Sequence, residues 1–299
     1  YIHVGIAVYD RSDTFMESYI RELEDKIGQT RILGKKVSYE IYDAEGIGSR
    51  QEKQLQEMYA QDYDVMLVNL VEPASAAGVL TDAKDADIPV ILFNREIDEK
   101  DLKISKNVWY VGTDARAAGV MQGKLLKDLW KKQSRILDWN GNGMLDYVLV
   151  EGEESHFDAI RRTSGFLETG AELPLNQKGN ILAEWKRELA YEKFAALDDE
   201  VVQNVEAVIC NNDDMALGVY DYYKEKNLKL PVIIGINNSE EMHQKIMSGE
   251  MYGTIDNKME DQVMEICRLM QAILKKDTGS YQKVWYSTPK AIVKAEGTE

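Results

Sequence analysis

The nine residues Asp138-Trp139-Asn140-Gly141-Asn142-Gly143-Met144-Leu145-Asp146 carry side-chain oxygens at their first, third, fifth and ninth positions. This is the D-x-[DN]-x-[DN]-G spacing of a calcium loop. Calcium is a hard cation that takes about six to eight oxygen ligands. Asp138, Asn140, Asn142 and Asp146 would supply side chains, Met144 its backbone carbonyl, and Gly143 the sharp turn. The twelfth position, ordinarily a bidentate glutamate, is Leu149 in a strand-like run, so a carboxylate from elsewhere must complete the shell. No helical pattern follows, which makes the expected role structural. A plain Asn/Gly turn is the alternative.

A second constellation is His156-Phe157-Asp158 with Arg161-Arg162. A helix starting near Asp158 puts Asp158 and Arg162 at i and i+4 on one face, where a carboxylate and a guanidinium can fix each other and present donors and acceptors. A helix-start aspartate with a surface arginine pair fits the pattern equally. Phe15 follows Asp13 after the first strand-like run, and Trp185 ends another such run. An aromatic face can cover the C–H face of a sugar ring while polar side chains take its hydroxyls. Core packing is the plainer reading of either aromatic alone. The histidines are His3, His156 and His243, and no C-x-x-C, H-E-x-x-H, G-x-S-x-G, G-x-G-x-x-G or P-loop motif occurs. The residues suggest a polar binding cleft with no nucleophile, base or cofactor cradle, and hence a protein that is not an enzyme.

These groups sit on an alternation of short apolar β-rich runs and segments of helical periodicity. The expected strands are 2–9, 36–42, 65–69, 90–93, 108–111, 147–152, 181–185, 207–210, 232–236 and 252–255, and the expected helices 15–27, 51–59, 74–83, 115–131, 158–169, 213–226 and 258–274. Strand–helix alternation with consecutive apolar positions in the strands implies parallel sheets covered on both faces. About ten strands suit two sheets of five, with a break near 111–114. Asn69, Asn94, Asn211, Asn212 and Asn237 stand at strand ends. Ligands of open α/β sheets bind beyond the carboxyl ends of the strands, so two such faces opposed across a cleft are expected.

The 299 residues hold 36 Lys and Arg against 52 Asp and Glu, a net charge of −16. That excess disfavours nucleic acid, whose affinity comes mostly from Lys and Arg, and an anionic membrane surface. No apolar run approaches the roughly 18 residues of a membrane span. Cys210 and Cys267 read as two buried thiols, with a single disulfide as the alternative. The sequence opens directly in a strand-like run, so the expectation is either a cytoplasmic protein or a leader removed earlier.

Taken in order, the residues resemble the bacterial galactose/glucose-binding proteins, periplasmic receptors for sugar ABC transport and chemotaxis. The resemblance runs nearly end to end. It is carried by Asp13-Thr-Phe15-Met16, Asn69-Leu-Val-Glu-Pro73, Phe93-Asn94-Arg95-Glu96, Tyr110-Val-Gly-Thr-Asp114, the calcium loop, His156-x-Asp158 with Arg162, Asn211-Asn-Asp213 and Gly253-Thr254. It implies a sugar stacked between Phe15 and Trp185, with hydroxyls bound by Asp13, Asn94, His156, Asp158, Arg162, Asn212 and Asn257. Asp13 would meet the hydroxyl that distinguishes glucose from galactose. Glu206 would be the missing ligand of a structural Ca2+. One position departs: where the family has an aspartate, this chain has Asn237. An acceptor-only carboxylate becomes an amide with both donor and acceptor, so Asn237 is expected to bind with lower affinity or an altered sugar preference.

The fold implied is the type I periplasmic-binding-protein-like α/β architecture, with two doubly wound parallel-sheet lobes joined by a three-crossing hinge near 111–114, 255–258 and 287–290. One lobe would comprise 1–111 and 258–288, the other 112–257 and 289–299 with the calcium loop. The resemblance further implies hinge closure on a glucose- or galactose-type monosaccharide, delivery to a membrane ABC permease, a monomeric state, and a periplasmic or cell-surface lipid-anchored location. A sugar-sensing domain of a signalling or chemotaxis system, which would engage a chemoreceptor or sensor, shares the fold. So does a transcription-regulator core, which would need a DNA-binding headpiece.

Overall fold

The computed structural model describes residues 1–295. The strands are β1 (Ile2–Val8), β2 (Arg31–Ile32), β3 (Lys35–Asp43), β4 (Val65–Val68), β5 (Val90–Phe93), β6 (Val108–Thr113), β7 (Leu145–Glu151), β8 (Leu175–Leu182), β9 (Ala207–Cys210), β10 (Val232–Ile234), β11 (Gly253–Asp256), β12 (Val284–Ser287) and β13 (Lys290–Val293). The α-helices are α1 (Thr14–Gln29), α2 (Gly48–Tyr59), α3 (Ala76–Asp85), α4 (Ala115–Leu137), α5 (Phe157–Gly170), α6 (Arg187–Ala195), α7 (Asp199–Asn204), α8 (Asp213–Glu225), α9 (Glu240–Met247) and α10 (Met259–Leu274).

The chain divides into two units, one of residues 1–113 and 258–287, the other of 114–257 and 288 onward. The first is built on a seven-stranded sheet in the order β12-β6-β5-β4-β1-β3-β2, the second on a six-stranded sheet in the order β13-β11-β10-β9-β7-β8. Pairing is parallel except at two edges, where β2 runs antiparallel to β3 and β13 antiparallel to β11.

Period-2 alternation in the strands separates two cores in each unit. In β4, Val65 and Leu67 join the cluster formed with α1 and α10, whereas Met66 and Val68 join the one formed with α2 and α3. In β7, Val148 and Val150 pack with α6 and α8, while Tyr147 and Leu149 pack toward α4 and α5. A strand apolar on both faces is stable only between two helical layers. The helices start where short polar side chains can take an otherwise unsatisfied N–H. Asp13 accepts from Met16 N–H at 2.8 Å, Asp114 from Ala117 N–H at 3.1 Å and Asn212 from Met215 N–H at 3.0 Å.

Three expectations are corrected. The sheets have seven and six strands, not five each, because the edge strands β2, β12 and β13 lack a fully buried apolar run. The strand expected over 181–185 lies earlier, at Leu175–Leu182, and Trp185 falls beyond it in a turn. The helices Arg187–Ala195 and Glu240–Met247 were not anticipated; each buries only two residues, too few to mark a helical period.

The first unit includes Gly112 and Thr113, past the expected boundary at 111, because β6 continues to pair with β12 as far as Thr113 opposite Ser287. There the Thr113 and Ser287 hydroxyls lie 2.6 Å apart, and Gln262 Nε2 donates to Thr113 Oγ1 at 2.7 Å. The three chain ends of the first unit are thus tied to one another. Residues 296–299, expected in the second lobe, lie outside the described residues. Both cysteines are free and buried, and burial pushes the Cys267 thiol up to about 11 and that of Cys210 well above its usual range. No helix among the described residues is long and apolar enough to cross a membrane.

Candidate functional site

In the second unit, polar and aromatic groups collect at the carboxyl ends of β7, β9, β10 and β11. Buried Asn211 closes β9; its Oδ1 accepts Gly152 N–H at 3.1 Å and its backbone carbonyl accepts Arg162 Nη1 at 2.7 Å. Helix α5 starts at Phe157, as the His156–Arg162 spacing predicts, so Asp158 and Arg162 lie one turn apart on it, both buried. His156 caps this helix, its Nδ1 accepting Asp158 N–H at 3.2 Å.

Trp185 is the centre of the group. The His156 ring meets its indole edge-on at 5.5 Å between centroids, and the Arg162 guanidinium lies 5.6 Å from the indole centroid. Its Nε1–H donates to Glu153 Oε1 at 2.8 Å, and its backbone carbonyl accepts Asn212 Nδ2 at 3.1 Å. Glu184 and Trp185 both adopt left-handed backbone, at φ 51° and 67°, a costly conformation for bulky side chains and one that concentrates at functional sites. A Cβ on Gly152 would run into the indole, so the close approach requires glycine there. Asn237, at φ 129°, has its N–H on Ile255 O at 2.8 Å and its Oδ1 3.4 Å from Asn257 Nδ2. The structure therefore gathers His156, Asp158, Arg162, Trp185 and Asn212 around α5 and the Trp185 turn, and pairs Asn237 with Asn257.

In the first unit, Asp13, Phe15 and Asn94 stand beyond the carboxyl ends of β1 and β5. Half-buried Phe15 packs edge-on against Tyr19 at 6.0 Å. Asn94 is left-handed at φ 64°; its N–H donates to Val111 O at 3.0 Å and its carbonyl accepts the Tyr110 hydroxyl at 2.9 Å. Buried Asn69 accepts Tyr9 N–H at 3.0 Å and donates to Phe93 O at 3.2 Å, tying the ends of β1 and β5. Two residues beside these were not singled out as site groups. The Arg95 guanidinium lies 3.6 Å over the Tyr9 ring, and burial, reinforced by the Asp13 carboxylate, holds the Tyr9 phenol well above its usual range. A tyrosine at the end of the expected first strand, directly before Asp10-Arg-Ser-Asp13, was the available signal.

The loop 138–146 closes on itself. Asp138 accepts the N–H groups of Asn142 at 3.0 Å and Gly143 at 2.9 Å, and Asn142 Oδ1 accepts Met144 N–H at 2.8 Å. Asn140 and Asn142 both donate to Asp146 Oδ2, at 2.9 and 3.2 Å. Glu206, next to β9, accepts Asp146 N–H at 2.9 Å and Asn140 N–H at 3.4 Å. Burial, with some help from the nearby Asp146 and Asp138 charges, raises the Glu206 carboxyl. Among the described residues no three His, Cys, Asp or Glu side chains stand as a preformed metal cage. The converging oxygen donors, three of the side chains acidic, nonetheless suit a hard cation once the two amides turn their oxygens inward.

The periplasmic binding protein domain family matches residues 4–278. The D-galactose/methyl-galactoside binding periplasmic protein MglB of Haemophilus influenzae is 30% identical over 290 residues, 94% of this chain and 84% of that protein. The galactofuranose-binding protein YtfQ of Escherichia coli is 27% identical over 80% of this chain and 74% of its own length. Among solved structures, a galactofuranose binding protein superposes with a TM-score of 0.83 over 98% of this chain and 95% of its own, at 22% identity, a likeness of fold. The extent of the match and the identity over nearly the whole chain establish that it belongs to the periplasmic binding protein domain family.

Proposed function

We propose that this chain is the extracytoplasmic sugar receptor of an ABC importer, binding a glucose- or galactose-type monosaccharide. The observation that carries the reading is the Trp185 turn. A bulky aromatic is held in a strained left-handed conformation with His156, Arg162 and Asn212 on or beside it. The indole offers a flat apolar face, and the buried polar groups around it penalise a ligand that leaves any of them unmatched. Asp158, Asn237 and Asn257 add hydroxyl partners. Asp13, Phe15 and Asn94 belong to the reading on the family resemblance. The sugar-binding relatives support the ligand class and a membrane permease as partner.

The reading assigns no catalytic step; the side chains bind, orient and exclude water. It takes the protein as a monomer in the periplasm or lipid-anchored at the cell surface. Asp138, Asn140, Asn142, Asp146 and Glu206, with the Met144 carbonyl, would hold Ca2+, which would supply a cross-link between the loop after α4 and the start of β9. A sensing role shares this fold, as in the fructose binding periplasmic domain of a hybrid two component system, TM-score 0.80 at 20% identity.

Thermal unfolding with a panel of monosaccharides, in calcium and in chelator, tests the reading. A ligand at 100 times its Kd adds about 2.7 kcal/mol. Glucose or galactose should raise the midpoint, and chelation should lower it. Stabilisation by a different sugar alone would move the specificity, and no response to any sugar would sink the receptor reading.

A further inference from the structure

Asp213 opens α8 and is almost wholly buried, yet it is absent from the groups assigned to sugar. One of its carboxylate oxygens holds the segment that carries Asn237, and the other holds Thr254 of the neighbouring β11. Oδ1 accepts the Thr254 hydroxyl at 2.6 Å, and Oδ2 accepts Ser239 N–H at 2.7 Å. Its own N–H donates to Ile236 O at 2.9 Å. Thr254 Oγ1 in turn receives Asn238 N–H at 3.3 Å. A Cβ on Gly235 would collide with Asp213 Oδ1, so the carboxylate lies directly against the backbone that leads into the turn. Asn237 and Asn238 are at φ 129° and 55°. Two consecutive residues with positive φ persist only where the surroundings over-determine them. Here the Asp213 backbone N–H holds Ile236 before Asn237, and its carboxylate holds Ser239 after it directly and Asn238 through Thr254.

We infer that Asp213 is a positioning residue for the sugar site, acting on ligand affinity through the placement of Asn237. The inference rests on the reading of Asn237 as a sugar contact, and its physical basis is the cost of misplacing a hydrogen-bonding group. Among the described residues the side chain of Asn237 has one bond, of 3.4 Å to Asn257, to orient it, so its aim is set by the backbone beneath. A charged acceptor holds an N–H and an O–H more firmly than a neutral one. Burial pushes the Asp213 carboxyl up to about 6, against the opposing effect of the Thr254 and Ser239 bonds, which marks these bonds as those that keep the charge in place. The other ionisable groups facing this carboxyl are Asp214 on its own helix and Cys210 at the end of β9. His243 of α9 joins the same turn, its Nδ1 2.9 Å from Asn238 Oδ1.

The test uses Asp213→Asn, which keeps the volume, and Thr254→Val, which removes one of the two bonds should the first variant fail to fold. Isothermal titration with the sugar selected by the panel should show affinity about tenfold weaker, the usual scale for one charge-assisted bond. The decisive measurement is a double-mutant cycle. In an Asn237→Ala background, Asp213→Asn should cause no further loss, because its route to the ligand is gone. Additive losses, or unchanged affinity in the single variants, would overturn the inference. A second readout needs no sugar: amide hydrogen exchange at Asn238 and Ser239 should speed up about tenfold in Asp213→Asn. Unaltered exchange there rejects the positioning role even if the chain binds no sugar, whereas faster exchange without sugar binding rejects the receptor reading instead.

Discussion

Each sheet ends in a buried asparagine that clamps its neighbours, and the two clamps carry different loads. Asn69 follows β4 and joins the ends of β1 and β5 through Tyr9 N–H and Phe93 O. Asn211 follows β9, receives Gly152 N–H beyond β7, and reaches Thr163 Oγ1 on α5 at 3.3 Å. The first clamp links strand to strand through its side chain, and its carbonyl accepts only a neutral amide, Gln51 Nε2 of α2, at 2.9 Å. The second links strand to the helix that carries Asp158 and Arg162, and its own carbonyl holds the Arg162 guanidinium. Both edges solve the same problem, satisfying backbone groups where the parallel ladder stops. Only the second converts that solution into a platform for charged side chains. The chemistry follows from what the amide is tied to, not from the amide itself.

The comparison breaks most visibly if the clamps are removed. Replacing either Asn69 or Asn211 by leucine leaves a buried N–H without its acceptor and should cost about 3 kcal/mol in urea unfolding. Asn211→Leu should in addition weaken sugar binding, and Asn69→Leu should leave it nearer the parent value. Equal effects on binding would erase the distinction.

A somewhat smaller effect separates the units by pH. The Asp213 carboxyl is raised to about 6 in the folded protein by burial, from an ordinary value of 3.8. A carboxyl that binds its proton more tightly when folded costs stability at neutral pH, and that cost disappears as pH falls from about 7 toward 4. Over that range the parent should gain about 2 kcal/mol relative to Asp213→Asn. A constant difference between the two in urea titrations at both pH values would show that the carboxyl is not so shifted.

The smallest effect sharpens the picture of the first unit. Tyr19 stacks on Phe93 at 5.3 Å between centroids, fully buried, and its hydroxyl finds no hydrogen-bond partner among the described residues. Tyr19→Phe should therefore be neutral or stabilising, by about 1 kcal/mol at most. A clear loss of stability would mean that the hydroxyl is bonded after all.

How much of this was legible in the sequence depended on what each residue answers to. The runs at β5 and β9 were readable to the residue, because a short strand buried on both faces must be apolar throughout. The tight turn at 138–146, with its side chains closing on its own N–H groups, was readable because its spacing is local. The helix start beside Asp158 was readable for the same reason. The Trp185 turn was not. Its conformation is imposed by Gly152, Glu153 and Asn212, which come from other segments, and β8 beside it is an edge strand whose polar residues hide its extent. The role of Asp213 was hidden too, since an aspartate at a helix start reads as a local capping or dipole effect until Ser239 and Thr254 are seen to converge on it.

The tie among Thr113, Gln262 and Ser287 has a consequence for biosynthesis. Helix α10 brings Val263, Ile266, Leu269, Met270 and Ile273 to the core that β1, β4 and β5 begin, and β12 completes the sheet beside β6. A nascent chain that has emerged only as far as residue 257 holds neither element, so the N-terminal half waits with an open apolar face while some 140 residues of another unit are made. The molecule is finished back to front. The core that its first strands begin is completed only by α10 and β12, which come after the whole of the other unit's main segment.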